Sequence, residues 1–404
     1  MIQNVTLRIF LRCTFALSLF STCTDLRPRT TSERFDHAFE QTRVMLDSLN
    51  QKDGGKLPKT LSRNGSLIVS SIYDWTSGFF PGTLWFLYAQ SGDSFWQAQA
   101  HRFTKLLNPV KDFYGHHDVG FIIMSSFGNG YRITGDSSYA SVIVTAAHSL
   151  AKRFNPTVGA IQSWDVDKGW QRERGWKFPV IIDNVMNLEL FFEATAISGD
   201  STFYQMAVSH ADVTLRNHFR TDYSCYHVVD YEPADGSVRT RQTAQGHSDS
   251  SSWARGQAWA LYRYTMCYAR TGLTRYLEQA KHIASFIINH PRLPEDKVPY
   301  WDFDSPDIPD TYRDASSAAI ISSALLQLAG FVDAADAERY QTAARVILDN
   351  LSAEPYLAEP KKNSGFLLKH SVGSIPHGNE IDVPLSYADY YYLEALLRDV
   401  ETTK

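Results

Sequence analysis

The chain has 404 residues, 44% hydrophobic and 13% aromatic, which excludes a disordered or low-complexity polymer and supplies a large buried core. Thirty-nine Lys and Arg against 44 Asp and Glu leave a net charge of −5, so no sustained positive field exists to hold a nucleic-acid backbone. Length alone allows two or three domains, and nine Trp, 21 Tyr and 23 Phe suit a protein that stacks flat hydroxylated ligands such as sugars, although large cores use the same residues.

The N-terminus carries Arg8 and Arg12, an apolar stretch from Cys13 to Phe20, and then Ser21, Thr22 and Cys23 before a polar segment. Residues 1–23 read as a secretory signal, with Cys23 the candidate acylated residue of a bacterial lipoprotein. Phe20 stands where such sites usually carry Leu, so a plain secreted signal is the alternative; either way the expected location is the periplasm or a lipid-anchored position on a membrane. The apolar run is too short to span a bilayer. The four cysteines, Cys13, Cys23, Cys225 and Cys267, form no C-x-x-C pair, so no zinc or redox motif is legible.

Downstream, a helix ending recurs. Amphipathic or apolar runs stop at Gly92, Gly135, Gly199, Gly272 and Gly330, usually as Ser/Thr-Gly-Asp, with an aromatic residue following. Such a glycine supplies a left-handed cap, and the following Asp, Ser or Thr can cap the next helix, so each unit is an αα-hairpin. The spacing predicts first members at 76–91, 118–133, 183–198, 253–271 and 314–329, and second members at 94–107, 138–153, 202–218, 274–289 and 336–351. Helices at 32–50 and 386–398 complete a sixth pair. Twelve helices in six pairs are the count for an all-α (α/α)6 toroid, expected as a single domain over 32–404; an open helical solenoid would repeat in the same way. The first members are apolar nearly all round, as an inner ring requires.

Inner helices of such a ring run parallel, so their starts meet at one mouth, and polar residues gather at those starts. Asp118 and Asp183 lie at the beginnings of adjacent inner helices, where two carboxylates would face a shared opening; glycan chemistry commonly needs such a pair. Both could equally be helix caps. Asp183 follows the apolar run Phe178-Pro179-Val180-Ile181-Ile182, which would desolvate it and raise its pKa. Trp75, Trp164, Trp170, Trp253 and Trp259 could stack on a sugar or fill the interior. Arg255, one turn into an apolar helix, needs an anionic partner, either a structural Asp or a ligand carboxylate. His227 reads as a structural histidine. His116 and His117 beside Asp118 suggest a metal site only weakly, because adjacent side chains rarely converge on one ion.

Asp74-Trp75-Thr76-Ser77-Gly78-Phe79, His117-Asp118-Val119-Gly120-Phe121, Ile182-Asp183-Asn184 with Met186-Asn187-Leu188, and Ser252-Trp253-Ala254-Arg255-Gly256-Gln257-Ala258-Trp259 resemble the unsaturated glucuronyl hydrolases of glycoside hydrolase family 88. The resemblance runs from about residue 35 to 398. It implies an (α/α)6 barrel that removes the 4,5-unsaturated uronic acid from the non-reducing end of lyase-generated oligosaccharides of glycosaminoglycan type. It further implies that Asp183 protonates C4 and activates water for C5, and that Asp118 holds ring hydroxyls. Trp75, His117, Trp164, His227, Gln245, Trp253, Arg255 and Trp259 would line the subsite for the unsaturated sugar, with Arg255 a candidate for its carboxylate; no cofactor or metal is implied.

The resemblance is least specific in the loop Lys369-His370-Ser371-Val372-Gly373-Ser374-Ile375-Pro376-His377-Gly378, where family members differ in reading sulfated or unsulfated neighbouring sugars. Alternatives are an unsaturated rhamnogalacturonyl hydrolase acting on pectin fragments, a glycan-binding lipoprotein without turnover, and a toroidal sugar epimerase. The paired aspartates argue against the binder.

Overall fold

The structure, a computed structural model, describes residues 28–50 and 56–402. The expected signal and Cys23 lie outside the described residues. Helix α1 (Thr31–Asn50) precedes a hairpin of β1 (Leu57–Leu61) and β2 (Leu67–Ser70), and then the pair α2 (Phe79–Ser91) and α3 (Ser94–Leu106). The next inner helix is broken: α4 (Val119–Ile123) passes through a π-helical turn, Met124–Gly128, into α5 (Asn129–Thr134), backed by α6 (Ser137–Ala151). A two-residue ladder of β3 (Phe154–Asn155) and β4 (Ala160–Ile161), the short α7 (Gly169–Glu173) and β5 (Pro179–Ile181) lead to α8 (Leu188–Ser198) and α9 (Ser201–Asn217). Strands β6 (Val228–Tyr231) and β7 (Val238–Gln242) precede α10 (Ala254–Thr271) and α11 (Thr274–Ile288). The chain ends with α12 (Ala315–Ala329), α13 (Ala334–Leu351), a hairpin of β8 (Ser371–Ser374) and β9 (Asn379–Val383), and α14 (Ser386–Thr402).

Closure, which spacing could not decide, is visible in the packing. Helix α2 lies against the α4–α5 run, which meets α8 and the turn before it; α8 meets α10, α10 meets α12, α12 meets α14, and α14 returns to α2. The ring is an (α/α)6 barrel, and α1 completes the outer layer. Its Phe39 stacks on Trp96 of α3 at 5.5 Å, and its Arg34 pairs with Asp349 of α13. The inner helices are buried over most of their length, with exposed residues confined to their C-terminal turns: in α12 even Ser316, Ser317, Ser322 and Ser323 are out of water.

The expected caps are present at four of five sites. Gly92, Gly135, Gly199 and Gly272 have φ between 65° and 76°, and Asp93, Asp136 and Asp200 accept the amide N–H two residues on. Gly330 differs, with φ −73°: the last turn tightens, Gly330 N–H donating to Gln327 and Phe331 N–H to Leu328, so no left-handed residue is needed, and Asp333 caps the next helix. Helix starts also differ. The inner helix predicted from 76 begins at Phe79, after turns over 75–78, and the one predicted from 183 begins at Leu188, because Ile182–Asn187 forms a 3₁₀ turn first. The short strands were not predicted, and they shape the mouth.

The inner helices meet through missing side chains. A Cβ on Gly120 would lie 2.6 Å from Asn187 Cα and Oδ1, and one on Gly78 would lie 2.3 Å from the Ile122 carbonyl oxygen. Asn187 Oδ1 uses this approach to accept the Phe121 N–H at 3.0 Å. Gly120→Ala is therefore expected to push α4 away from the Ile182–Asn187 turn and destabilise the fold by about 1–3 kcal/mol, read as a lower denaturant midpoint at unchanged slope.

Candidate active site

A cavity of about 790 Å³ opens where the inner helices begin. Asp118, Asp183, Trp75, His117, Trp164, Gln245 and Arg255 line it, whereas His227, Trp253 and Trp259 stand behind its wall. Neither Asp118 nor Asp183 makes a side-chain cap, unlike Asp314, whose carboxylate accepts the Ser316 N–H. The capping account thus holds for Asp314 and fails for the pair.

Strand pairing positions Asp183. β5 runs antiparallel to β6 with Ile181 opposite Val228, and Ile182 N–H donates to the His227 carbonyl at 2.9 Å. Asp183 and His227 are brought side by side just beyond the ladder. His227 Nδ1 accepts the N–H groups of Ala244 (3.0 Å) and Gln245 (3.2 Å), which leaves the ring proton of the neutral imidazole on Nε2. That nitrogen lies 3.6 Å from Asp183 Oδ2, and both atoms are buried without a hydrogen-bond partner. Burial drives the His227 pKa well below its usual value, with the Arg255 charge adding to the effect, so the ring stays neutral. Burial also pushes the Asp183 carboxyl up to about 7; Arg255 opposes the rise and the charge of Asp118 supports it. The desolvation expected from the preceding apolar run is therefore realised, since Val180 and Ile182 are fully buried and Ile181 nearly so.

Asp118 is in the opposite electrostatic state. Burial would raise its pKa, but His117, His116 and Arg153 outweigh that and hold it below the usual carboxylate range. His117 Nε2 lies 3.3 Å from Asp118 Oδ1, while its Nδ1 is 3.2 Å from Asn187 Nδ2. Because burial pushes the His117 pKa down to about 4, this residue is a neutral N–H donor and not a cation. His116 Nε2 reaches the Tyr73 carbonyl at 2.8 Å, and its Nδ1 is 3.2 Å from Asp118 Oδ2. Both imidazoles are thus committed to orienting Asp118, which removes the motive for reading them as metal ligands.

Arg255 finds the structural partner among the two anticipated. Its terminal nitrogens donate to the carbonyls of Val372 and Gly373, the latter at 2.7 Å, and Asp314 Oδ2 lies 3.8 Å away. The guanidinium also stacks near Trp253, at 4.5 Å, and is 1% exposed. Since Asp314 Oδ1 accepts the Val372 N–H at 3.2 Å, the two residues grip β8 from both sides and fix the hairpin against the mouth. Trp253 packs with Trp301 and Val372 behind this grip, and Trp259 lies edge-on to Phe121 at 5.3 Å in the barrel interior.

Of the outer wall, only Trp170 and the loop that holds Ser374 and His377 were named from sequence. Lys59, Arg63 and Ile68 come from the β1–β2 hairpin, Trp170 and Gln171 from α7, and Ser374, His377, Asn379 and Glu380 from the β8–β9 hairpin. Asn64-Gly65, with Gly65 at φ 79°, was a legible turn signal for the first hairpin. Trp164, Trp170 and Trp176 cluster with centroids 5.1–5.8 Å apart, and Trp170 lies 5.0 Å from His377, which makes an aromatic wall. In the C-terminal loop, Lys369 pairs with Glu354 at 3.0 Å and His370 with Asp382 at 2.6 Å, so neither reaches the cavity. Ser374 and His377, hydrogen-bonded at 2.7 Å, do.

No family model matches the chain. It is 47% identical over 326 residues, 80% of each sequence, to the unsaturated glucuronyl hydrolase of Formosa agariphila. A crystal structure of an unsaturated glucuronyl hydrolase specific for heparin superposes with a TM-score of 0.85 at 45% identity, covering 91% of this chain and 98% of that one. The Bacillus sp. GL1 unsaturated glucuronyl hydrolase, responsible for the degradation of glycosaminoglycan, superposes with a TM-score of 0.83 at 30% identity, covering 90% and 96%.

The two aspartates are expected to act oppositely on stability. Asp183, whose folded pKa is raised, contributes nothing in strong acid, costs stability progressively as pH climbs from its ordinary value of 3.8 to about 7, and carries the full cost above that. Asp118, whose folded pKa is depressed, stabilises once ionised, and that contribution is lost on acidification. At pH 8, Asp183→Asn should raise the free energy of unfolding by on the order of 2 kcal/mol and Asp118→Asn should lower it; urea titrations at pH 5 and pH 8 check both signs.

Proposed function

The chain belongs to the unsaturated glucuronyl hydrolases, and from that membership and its two aspartates we propose that it removes the 4,5-unsaturated uronic acid from the non-reducing end of lyase-generated, glycosaminoglycan-type oligosaccharides. The observation that carries this reading is one cavity holding two carboxyl groups in opposite surroundings: Asp183, desolvated beyond a buried strand and pushed up to about 7, and Asp118, held below the usual carboxylate range by His117, His116 and Arg153. A vinyl ether needs a proton donor at neutral pH, and a desolvated carboxylic acid is one.

In this reading the Asp183 proton passes to C4, and positive charge develops on C5 and the ring oxygen. Water adds at C5 and returns its proton to the Asp183 carboxylate. The resulting hemiketal opens by breaking the bond from C5 to the ring oxygen, leaving a ketone at C5 and a hemiacetal at C1 that expels the remaining sugar. His227 Nε2–H, 3.6 Å from Oδ2, is aimed where negative charge appears when Asp183 gives up its proton. Asp118, steered by His116 and His117, accepts hydrogen bonds from sugar hydroxyls and, as a nearby anion, discourages early ionisation of Asp183. Trp75 and Trp164 present ring surface for the sugar. Arg255 serves at one remove, through its hold on Val372 and Gly373.

Export supplies a location suited to extracellular polysaccharide fragments. The charged start, apolar stretch and Cys23 support a signal with lipid attachment, and fatty-acid analogue labelling that persists in Cys23→Ala would overturn the attachment.

Turnover is read directly as loss of the ultraviolet absorbance of the conjugated uronate. Asp183→Asn should lower kcat by about 10²-fold or more, and wild-type activity should fall as pH rises above about 7 because the acid form is lost. Unchanged absorbance across a panel of unsaturated glycosaminoglycan disaccharides, with release from unsaturated rhamnogalacturonan fragments, would move the assignment to pectin.

A further inference from the structure

We propose that Arg63, at the tip of the β1–β2 hairpin, is a specificity-determining residue that receives an anionic substituent on the sugar beyond the unsaturated uronate. The proposal rests on the reading of function above and adds to it the charge of the leaving sugar.

Three non-histidine cations line the cavity, and two are spoken for. Lys59 is pinned between Asp74 (2.9 Å) and Glu380 (3.4 Å), and Arg255 is buried on backbone carbonyls and Asp314. Arg63 is exposed at the outer rim, and among the described residues it has no ion pair or side-chain hydrogen bond. Of the carboxyl groups lining the cavity, Glu380 is paired with Lys59, Asp118 lies against its two imidazoles and Asp183 against His227, so none of them pairs with Arg63 at the rim.

The arginine stands on a fixed arm. Thr60 Oγ1 donates to the Pro384 carbonyl at 2.6 Å and Thr60 bridges to Leu385, which ties the hairpin to the segment entering α14. The tip closes through Ser62 N–H to Ser66 at 2.9 Å. Elsewhere on the outer wall stand Trp170 and His377, the latter with its pKa lowered by burial and by Arg174, whose guanidinium lies over the Trp170 ring at 5.8 Å and donates to the Thr243 carbonyl. A sugar leaving the uronate subsite would thus have a flat aromatic surface and one free guanidinium within the same opening. The planar fork of that group matches the oxygens of a sulfate ester, or of a carboxylate on a further uronate.

The test compares kcat/KM for a 6-O-sulfated unsaturated disaccharide, its unsulfated counterpart and an unsulfated unsaturated tetrasaccharide, in wild type, Arg63→Ala and Arg63→Lys. The sulfated-to-unsulfated ratio should fall about fivefold in Arg63→Ala, fall less in Arg63→Lys, and converge towards the wild-type value as salt is added. A fall in only the tetrasaccharide-to-disaccharide ratio would identify the anion as a second uronate. Both ratios unchanged in Arg63→Ala would overturn the proposal. Wild-type turnover of the unsulfated disaccharide tests the reading of function separately, so the two can fail independently.

Discussion

A carboxyl group taken out of water beside a neutral imidazole is the constraint on which the site depends. Asp183 follows a buried strand, and its Oδ2 faces His227 Nε2 at 3.6 Å, both atoms buried and outside hydrogen-bond reach of a partner. An unpaired buried polar atom costs free energy, so the surrounding structure has to over-determine its position. It does so with backbone: the β5–β6 ladder sets the approach, and two amides of the 244–245 segment hold the His227 ring by its far nitrogen. The cost of keeping this acid dry is borne by the packed barrel behind it.

The barrel supplies the opposite condition a few residues away. Asp118 begins an inner helix whose glycine lets it press against Asn187, and Asn187 turns His117 toward the carboxylate. The same contact therefore joins the two inner-helix starts and orients the second acid. Two chemically identical side chains diverge because one meets apolar strand residues and a neutral ring, while the other meets two imidazoles and the field of Arg153.

What was legible in the sequence follows from how local each signal is. The helical pairs, four left-handed glycine caps and the clustering of polar residues at inner-helix starts depend on neighbours in the chain, and they reappear in the structure. The first turn at 182–187, the break at Met124–Gly128 and the ordinary φ of Gly330 depend on packing, and periodicity carries no trace of them. Asp118, Asp183, Trp75, His117 and Arg255, which stand in the motifs, and Trp164 and Gln245, which the resemblance adds, line the cavity. Trp253 and Trp259 share a motif with Arg255 but lie behind the wall, because a motif records proximity along the chain and not which way a side chain turns; His227, named for the site only through the resemblance, lies behind the wall as well. The hairpin residues Lys59, Arg63 and Glu380 were missed since short strands in a helical chain have weak patterns and join the site only through tertiary contacts.

The central claim concerns one proton. Carbon-13 NMR of the aspartate carboxyl groups, titrated between pH 3 and pH 9 and assigned by the resonance missing in Asp183→Asn, measures it without substrate. A carboxyl that titrates close to neutrality and disappears in that variant is the expected result. An Asp183 resonance already ionised at pH 5 would contradict the account.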